Sequence, residues 1–188
     1  MSEEKKVAEK KEPEKKETWI TWLALTTAFL AVFAAVTTMF MGKYSTRAIL
    51  AQGHETDQWA FYQAKSIKGH TYEMQKAKLE LELAGLHGKI SGSLMEKYKK
   101  TIADYDKNIK RYDTEKAEIM AEARGLAKKK DLSQLMSGNL SMSLIFLQIA
   151  IVLSSVAAIT KKKPLWYAGL ATVSGWVVYF SNAYLLFF

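Results

Sequence analysis

The sequence predicts an all-α membrane protein: three transmembrane helices, with a long antiparallel coiled-coil-like helical hairpin between the first and the second. Three observations lead there. Residues 19–41, 140–160 and 165–188 contain no Asp, Glu, Lys, Arg or His, while the rest of the chain is densely charged. Each of these stretches meets the roughly 20 residues that a helix needs to cross a hydrocarbon core of about 30 Å. From Met95 to Leu126, apolar and aromatic residues return in alternating steps of three and four, which is a heptad seam. The only two prolines, Pro13 and Pro164, lie outside these long stretches, so nothing in them breaks a helix.

Residues 1–18 hold six Lys and six Glu and few apolar side chains, a composition that predicts a disordered charged tail. Residues 19–41 follow as the first span, with Trp19 and Trp22 as an interfacial belt at its start. The run is too long for the apolar core of a cleaved signal peptide, so an uncleaved anchor is expected. Thr26, Thr27 and Thr37 lie in it among alanines. Small residues let helices approach closely in lipid, and Thr hydroxyls bond to backbone or across an interface. In an oligomer closed around an axis, the same threonines would line a pore.

Residues 42–139 are expected outside the membrane. The first arm of the hairpin repeats Ala60, Ile67, Met74 and Leu81 at seven-residue spacing, with Gln63, His70, Ala77 and Ala84 as companions, and this is its predicted seam. Trp59, Tyr62, Gln63 and Lys65 cluster near its start and are candidates for contact with a neighbouring subunit. Residues 85–93 read GLHGKISGS, which predicts the tip of the hairpin, and Ser93 with Glu96 fits a capping box. The second arm carries the stronger seam: Tyr98, Ile102, Tyr105, Ile109, Tyr112 and Ile119. Lys116 alone is strongly polar in that row, and its stem is expected to pack while its amine reaches solvent.

Residues 140–160 form the second span, with Gln148 as its one strongly polar side chain. Residues 161–164 make a short loop of three lysines and Pro164. Residues 165–188 form the third span, where Ala171 and Gly175 offer a small-xxx-small face and Asn182 lies toward the far end. By the positive-inside rule the lysine loop and the N terminus are cytoplasmic, which places the hairpin and the C terminus on the periplasmic side.

The same residues exclude several activities. No cysteine means no disulfide, thiol nucleophile or Cys-ligated metal. His54, His70 and His87 lie 16 and 17 residues apart, which does not stack them on one helix face as a metal pair. There is no Gly-rich phosphate loop and no nucleophile elbow. The spans carry no ionisable group of the kind ion-driven transporters keep there. The net charge of +8 arises from both signs interleaved along helices, not from a one-sign stripe, so no nucleic-acid partner is expected. No cofactor and no catalytic residue are expected.

Two stretches carry a family resemblance: Trp22-Leu23-Ala24-Leu25-Thr26-Thr27-Ala28, and Asp57-Gln58-Trp59-Ala60-Phe61-Tyr62-Gln63-Ala64-Lys65-Ser66-Ile67-Lys68. With Leu147-Gln148-Ile149-Ala150-Ile151 and the segment from Thr160 to Tyr167, they resemble a family of bacterial membrane proteins known as domain of unknown function 4337. The resemblance runs from Trp19 onward and implies a bacterial inner-membrane protein with three spans and a helical middle domain. It implies no activity. The expected function is therefore that of a non-enzymatic membrane scaffold or interaction module that forms a homo-oligomer. The alternatives are a homo-oligomeric passive channel, or an accessory subunit of a larger membrane enzyme complex.

Overall fold

The computed structural model describes residues 3–86 and 90–186, with side chains from residue 18 onward. The centre of the predicted tip, including His87, and the last two residues lie outside that set. The described residues form three helices and no strand: α1 (Glu3–Gly85), α2 (Gly92–Thr160) and α3 (Lys163–Leu185). Residues 42–57 and 131–139, expected as junctions, are helical, as are residues 3–18 of the expected disordered tail. Isolated glycines within a helix cost about 1 kcal/mol each and do not by themselves end it. Two of the helices, α1 and α2, are long and apolar enough to cross a membrane.

The chain divides into two compact units, Met1–Ala48 with Asp131–Phe188, and Ile49–Lys130. In the first, α1 and α3 run parallel and α2 runs against both. Trp166 and Trp176 on α3 meet Thr26 and Thr37 on α1 in the same order, while Ser137 on α2 bonds to Met41 on α1. Leu30, Leu147 and Ala150 form the core, with Ala34, Ile151, Val173 and Trp176 packed against it. Leu23 and Leu140 are buried as well, whereas Phe29, Val32, Met39 and Val152 are all more than half exposed.

The connection from α2 to α3 is two residues long. Lys161 takes the left-handed conformation, with φ 53°, and Pro164 sits in the first turn of α3. Proline fits there because the first turn of a helix has no intrahelical partner for its N–H.

The second unit is a hairpin of α1 and α2 residues in antiparallel register. It pairs Lys65 with Glu115, Lys76 with Asp106 and Glu55 with Lys130. At the turn, the Leu86 N–H closes α1 onto the Glu82 carbonyl at 3.2 Å, and the Ser91 carbonyl accepts from Met95 N–H at 3.1 Å. Helix α2 therefore starts ahead of Ser93, two residues earlier than the predicted capping box.

The arms do not face each other as the spacing predicts. Ile67, Met74 and Leu81 are 67%, 70% and 76% exposed, so the predicted first-arm seam points away from α2. The row that faces inward is Tyr62, Gly69, Lys76 and Leu83. It has the same seven-residue period, offset by two residues, or about 200° around the helix. This arm thus carries two heptad rows on opposite faces. The inward row is the one whose side chains can meet acids and tyrosines on α2.

Candidate functional site

The hairpin's interior is built from charges and rings. Lys65 Nζ donates to Glu115 Oε2 at 2.6 Å and lies over the rings of Phe61 and Tyr112, at 5.1 and 5.5 Å. Lys76 donates to Asp106 at 2.8 Å, and Lys130 to Glu55 at 2.9 Å. Tyr72 stacks on Tyr112 at 5.8 Å and tilts against Tyr105 at 5.5 Å. Gly69 lies beside this contact, and a Cβ there would sit in ordinary van der Waals contact with Tyr112 Cβ, at 3.7 Å.

These contacts shift the titration of the groups involved. The Lys76 ammonium, with Lys110 beside it, holds the Asp106 carboxyl down to about 2, and Lys76 itself is raised by the same hydrogen bond. Glu115 is lowered by its hydrogen bond from Lys65.

The second-arm row of Tyr98, Ile102, Tyr105 and Ile109 is half-buried, and Tyr112 and Ile119 are buried. Lys116 in that row is 19% exposed in its side chain, with its amine 2.8 Å from Asp113. That hydrogen bond raises its pKa.

Among the four candidate interface residues, the structure separates inward from outward. Lys65 is engaged by Glu115 of the same chain, and Trp59 packs edge-on against Tyr62 at 5.7 Å. Gln63 is exposed, on the outward row with Ile67.

That outward row is the residue set whose direction the sequence reading missed. Its signal was present in the sequence as two overlapping seven-residue repeats. Its flanks are charged: Glu73 beside His70 at 2.7 Å, and Lys78 with Glu82 3.9 Å away. The Thr71 hydroxyl is taken up by the Ile67 carbonyl at 2.8 Å.

In the three-helix unit, polar atoms turn inward. The Trp166 and Trp176 indole N–H groups donate to Thr26 Oγ1 and Thr37 Oγ1, both at 3.2 Å, and Thr37 is wholly buried. Thr27 bonds back to the Leu23 carbonyl at 2.8 Å. Asn182 is 1% exposed, within the unit, while Gln148 is exposed.

Ala171 lies on the outside, and Gly175 faces Phe146, whose ring would lie 2.6 Å from an added Cβ. The closest backbone approach is at Gly169 instead, where a Cβ would lie 3.1 Å from the Ala150 carbonyl and 3.4 Å from Ser154 Oγ. A Gly169–Ser154–Ala150 contact was visible in the sequence only as small residues. Nothing local paired them.

Among the described residues, no group of three or more His, Cys, Asp or Glu could hold a metal ion. A groove along Asp131, Gln134, Leu135, Gly138 and Asn139 presents one carboxylate and two amides, without a base, nucleophile and anion-binding group set together.

No curated protein and no solved structure matches the chain. The model of one family, described as a domain of unknown function (DUF4337), matches residues 19–186. That span is nearly the whole chain, and the protein belongs to the DUF4337 family.

Proposed function

We propose that this protein is a non-enzymatic scaffold of the bacterial inner membrane, multi-pass, that assembles into a homo-oligomer through its helical hairpin and its spans. On this reading α3 is a third span beside those of α1 and α2, the N terminus is cytoplasmic, and the hairpin and C terminus are periplasmic. The observation that carries it is the two-faced first arm. One face is satisfied by ion pairs and tyrosines of its own chain, and the opposite face leaves Ile67, Met74 and Leu81 more than two-thirds exposed. A helix that packs one face on its own chain and carries an apolar row on the other has more to bury than that one partner covers. The first test is the native mass of the complex, extracted gently from its own membrane. A whole multiple of 21.2 kDa is expected. A mass that includes other chains at fixed ratio would instead make the protein an accessory subunit of a larger complex.

Gln148 supports a second reading. It is an exposed amide on a helix otherwise apolar around it. An intramembrane polar group of this kind bonds across helices or lines water. In a passive channel, purified oligomers in liposomes conduct, and Gln148→Leu lowers that conductance. Without conductance, Gln148 is a packing residue of the scaffold.

A further inference from the structure

We infer that the outward row of the first arm pairs with the same row of a second copy of this chain, parallel and in register. The inference rests on the scaffold reading, and it names the surface and the partner. The row runs from Ala60 through Ile67, Met74 and Leu81, so its heptad repeats four times. Ala64, Ala77 and Ala84 flank the large side chains, the alternation of knobs and small holes that two helices need.

Three observations select a second copy in this orientation. First, copies anchored by the same span enter this helix from the same side of the bilayer, which makes their arms parallel. Second, the polar residues of the row match only in register. Parallel pairing sets Gln63 on Gln63 and His70 on His70. Antiparallel pairing about the middle of the row sets Gln63 on Leu81 and His70 on Met74, burying amide and imidazole against hydrocarbon. Third, the flanking charges are complementary. Counting Met74 as position a of the heptad, Glu73 is at g and Lys78 at the following e. Parallel dimers pair g of one helix with the next e of the other, so each Glu73 meets the other copy's Lys78. Both reach solvent: Lys78 is 77% exposed with Glu82 at 3.9 Å, and Glu73 is 45% exposed while it contacts His70 of its own chain at 2.7 Å.

The chain contains no cysteine, so a single introduced one reports on a single position. The test uses Met74→Cys in native membranes under mild oxidation, with Glu118→Cys, on the exposed side of α2, as the comparison. Both sites are surface positions, so neither substitution removes a buried contact. The expected result is a disulfide-linked product of twice 21.2 kDa from Met74→Cys, forming at least ten-fold faster than from Glu118→Cys. In the Met74→Cys background, Glu73→Lys slows cross-linking, and adding Lys78→Glu restores it. A swap that fails to restore the rate would overturn the in-register arrangement. Cross-linking at Glu118→Cys but not at Met74→Cys, in a complex whose mass is still a multiple of one chain, would overturn this surface and leave the scaffold standing. A single-chain native mass with no cross-link at either position would remove both.

Discussion

The two units of this protein solve the same packing problem in opposite ways. In the three-helix unit the polar residues Thr37, Ser143, Ser154 and Asn182 are buried, and Phe29, Val32, Met39 and Ile159 are outside. In the hairpin the interior holds Lys65, Lys76 and Glu55 in ion pairs around a run of tyrosines. The first arrangement suits a solvent as apolar as the side chains themselves, where hydrogen bonds and close contact hold helices together. The second suits water, where charged rows remain soluble on their flanks and define which residues meet. Apolar exposure therefore has two meanings in one chain. On the proposed scaffold reading, it is surface for a bilayer around the three-helix unit and surface for a second copy on the hairpin's outward row.

The comparison is broken most severely at Tyr112, the centre of the hairpin's interior. Tyr112→Ala should cost the hairpin about 3 kcal/mol, the usual loss for an aromatic truncated in a packed site. Hydrogen exchange should then speed up in Ile49–Lys130 while the three-helix unit keeps its protection. Its counterpart is Gly169→Val. With only 3.1 Å from an added Cβ to the Ala150 carbonyl, α2 and α3 must separate, at about 2 kcal/mol, read as lower resistance to denaturant by tryptophan fluorescence.

Thr37→Val keeps the shape and removes the acceptor for Trp176. A loss of about 1 kcal/mol and a change in Trp176 emission are expected; an unchanged protein would mean that the indole bond contributes nothing. Lys161→Gly works in the opposite direction. It relieves a left-handed residue at about 1–2 kcal/mol but loosens the unfolded chain by about 0.4–1 kcal/mol, so a net gain of about 0.5 kcal/mol is expected in the same unfolding assay.

The smallest effect is in acid. The Asp106 carboxyl is held at about 2, below its ordinary 3.8, by the hydrogen bonds from Lys76 and Lys110. The stabilisation is present in full above the ordinary value and is lost as the pH falls through the lowered one. Thermal unfolding of the hairpin should therefore move to lower temperature between about pH 4 and pH 2. Asp106→Asn should flatten that part of the profile.

The second arm was legible because its row of tyrosines and isoleucines stands out against Lys, Asp and Glu, which leaves one face to bury. The first arm was not, because two seven-residue rows share it. The spacing marks Ile67, Met74 and Leu81 as apolar, but cannot tell a seam against the same chain from one against another molecule. The small-residue contact was placed at Ala171 and Gly175, where the spacing was regular. In the structure Gly175 does meet α2, at the Phe146 ring, Ala171 is exposed, and Gly169 adds the backbone approach through Ala150 and Ser154. The threonines of α1 were legible as helix-packing residues, but their indole donors lie about 140 residues away in sequence, beyond any local pattern.

Although residues 42–57 and 131–139, expected as junctions, are helical, the sequence by itself determined the all-helical class and the alternation of apolar and charged stretches. Those follow from period, charge and the absence of proline, which act over a few residues. Only the tertiary structure decided which face of the first arm is buried, which threonines accept an indole proton and where two backbones touch. Each of those choices depends on what the opposing helix presents. Lys76 turns inward because Asp106 is there to meet it, and Met74, with no such partner in its own chain, is left outside.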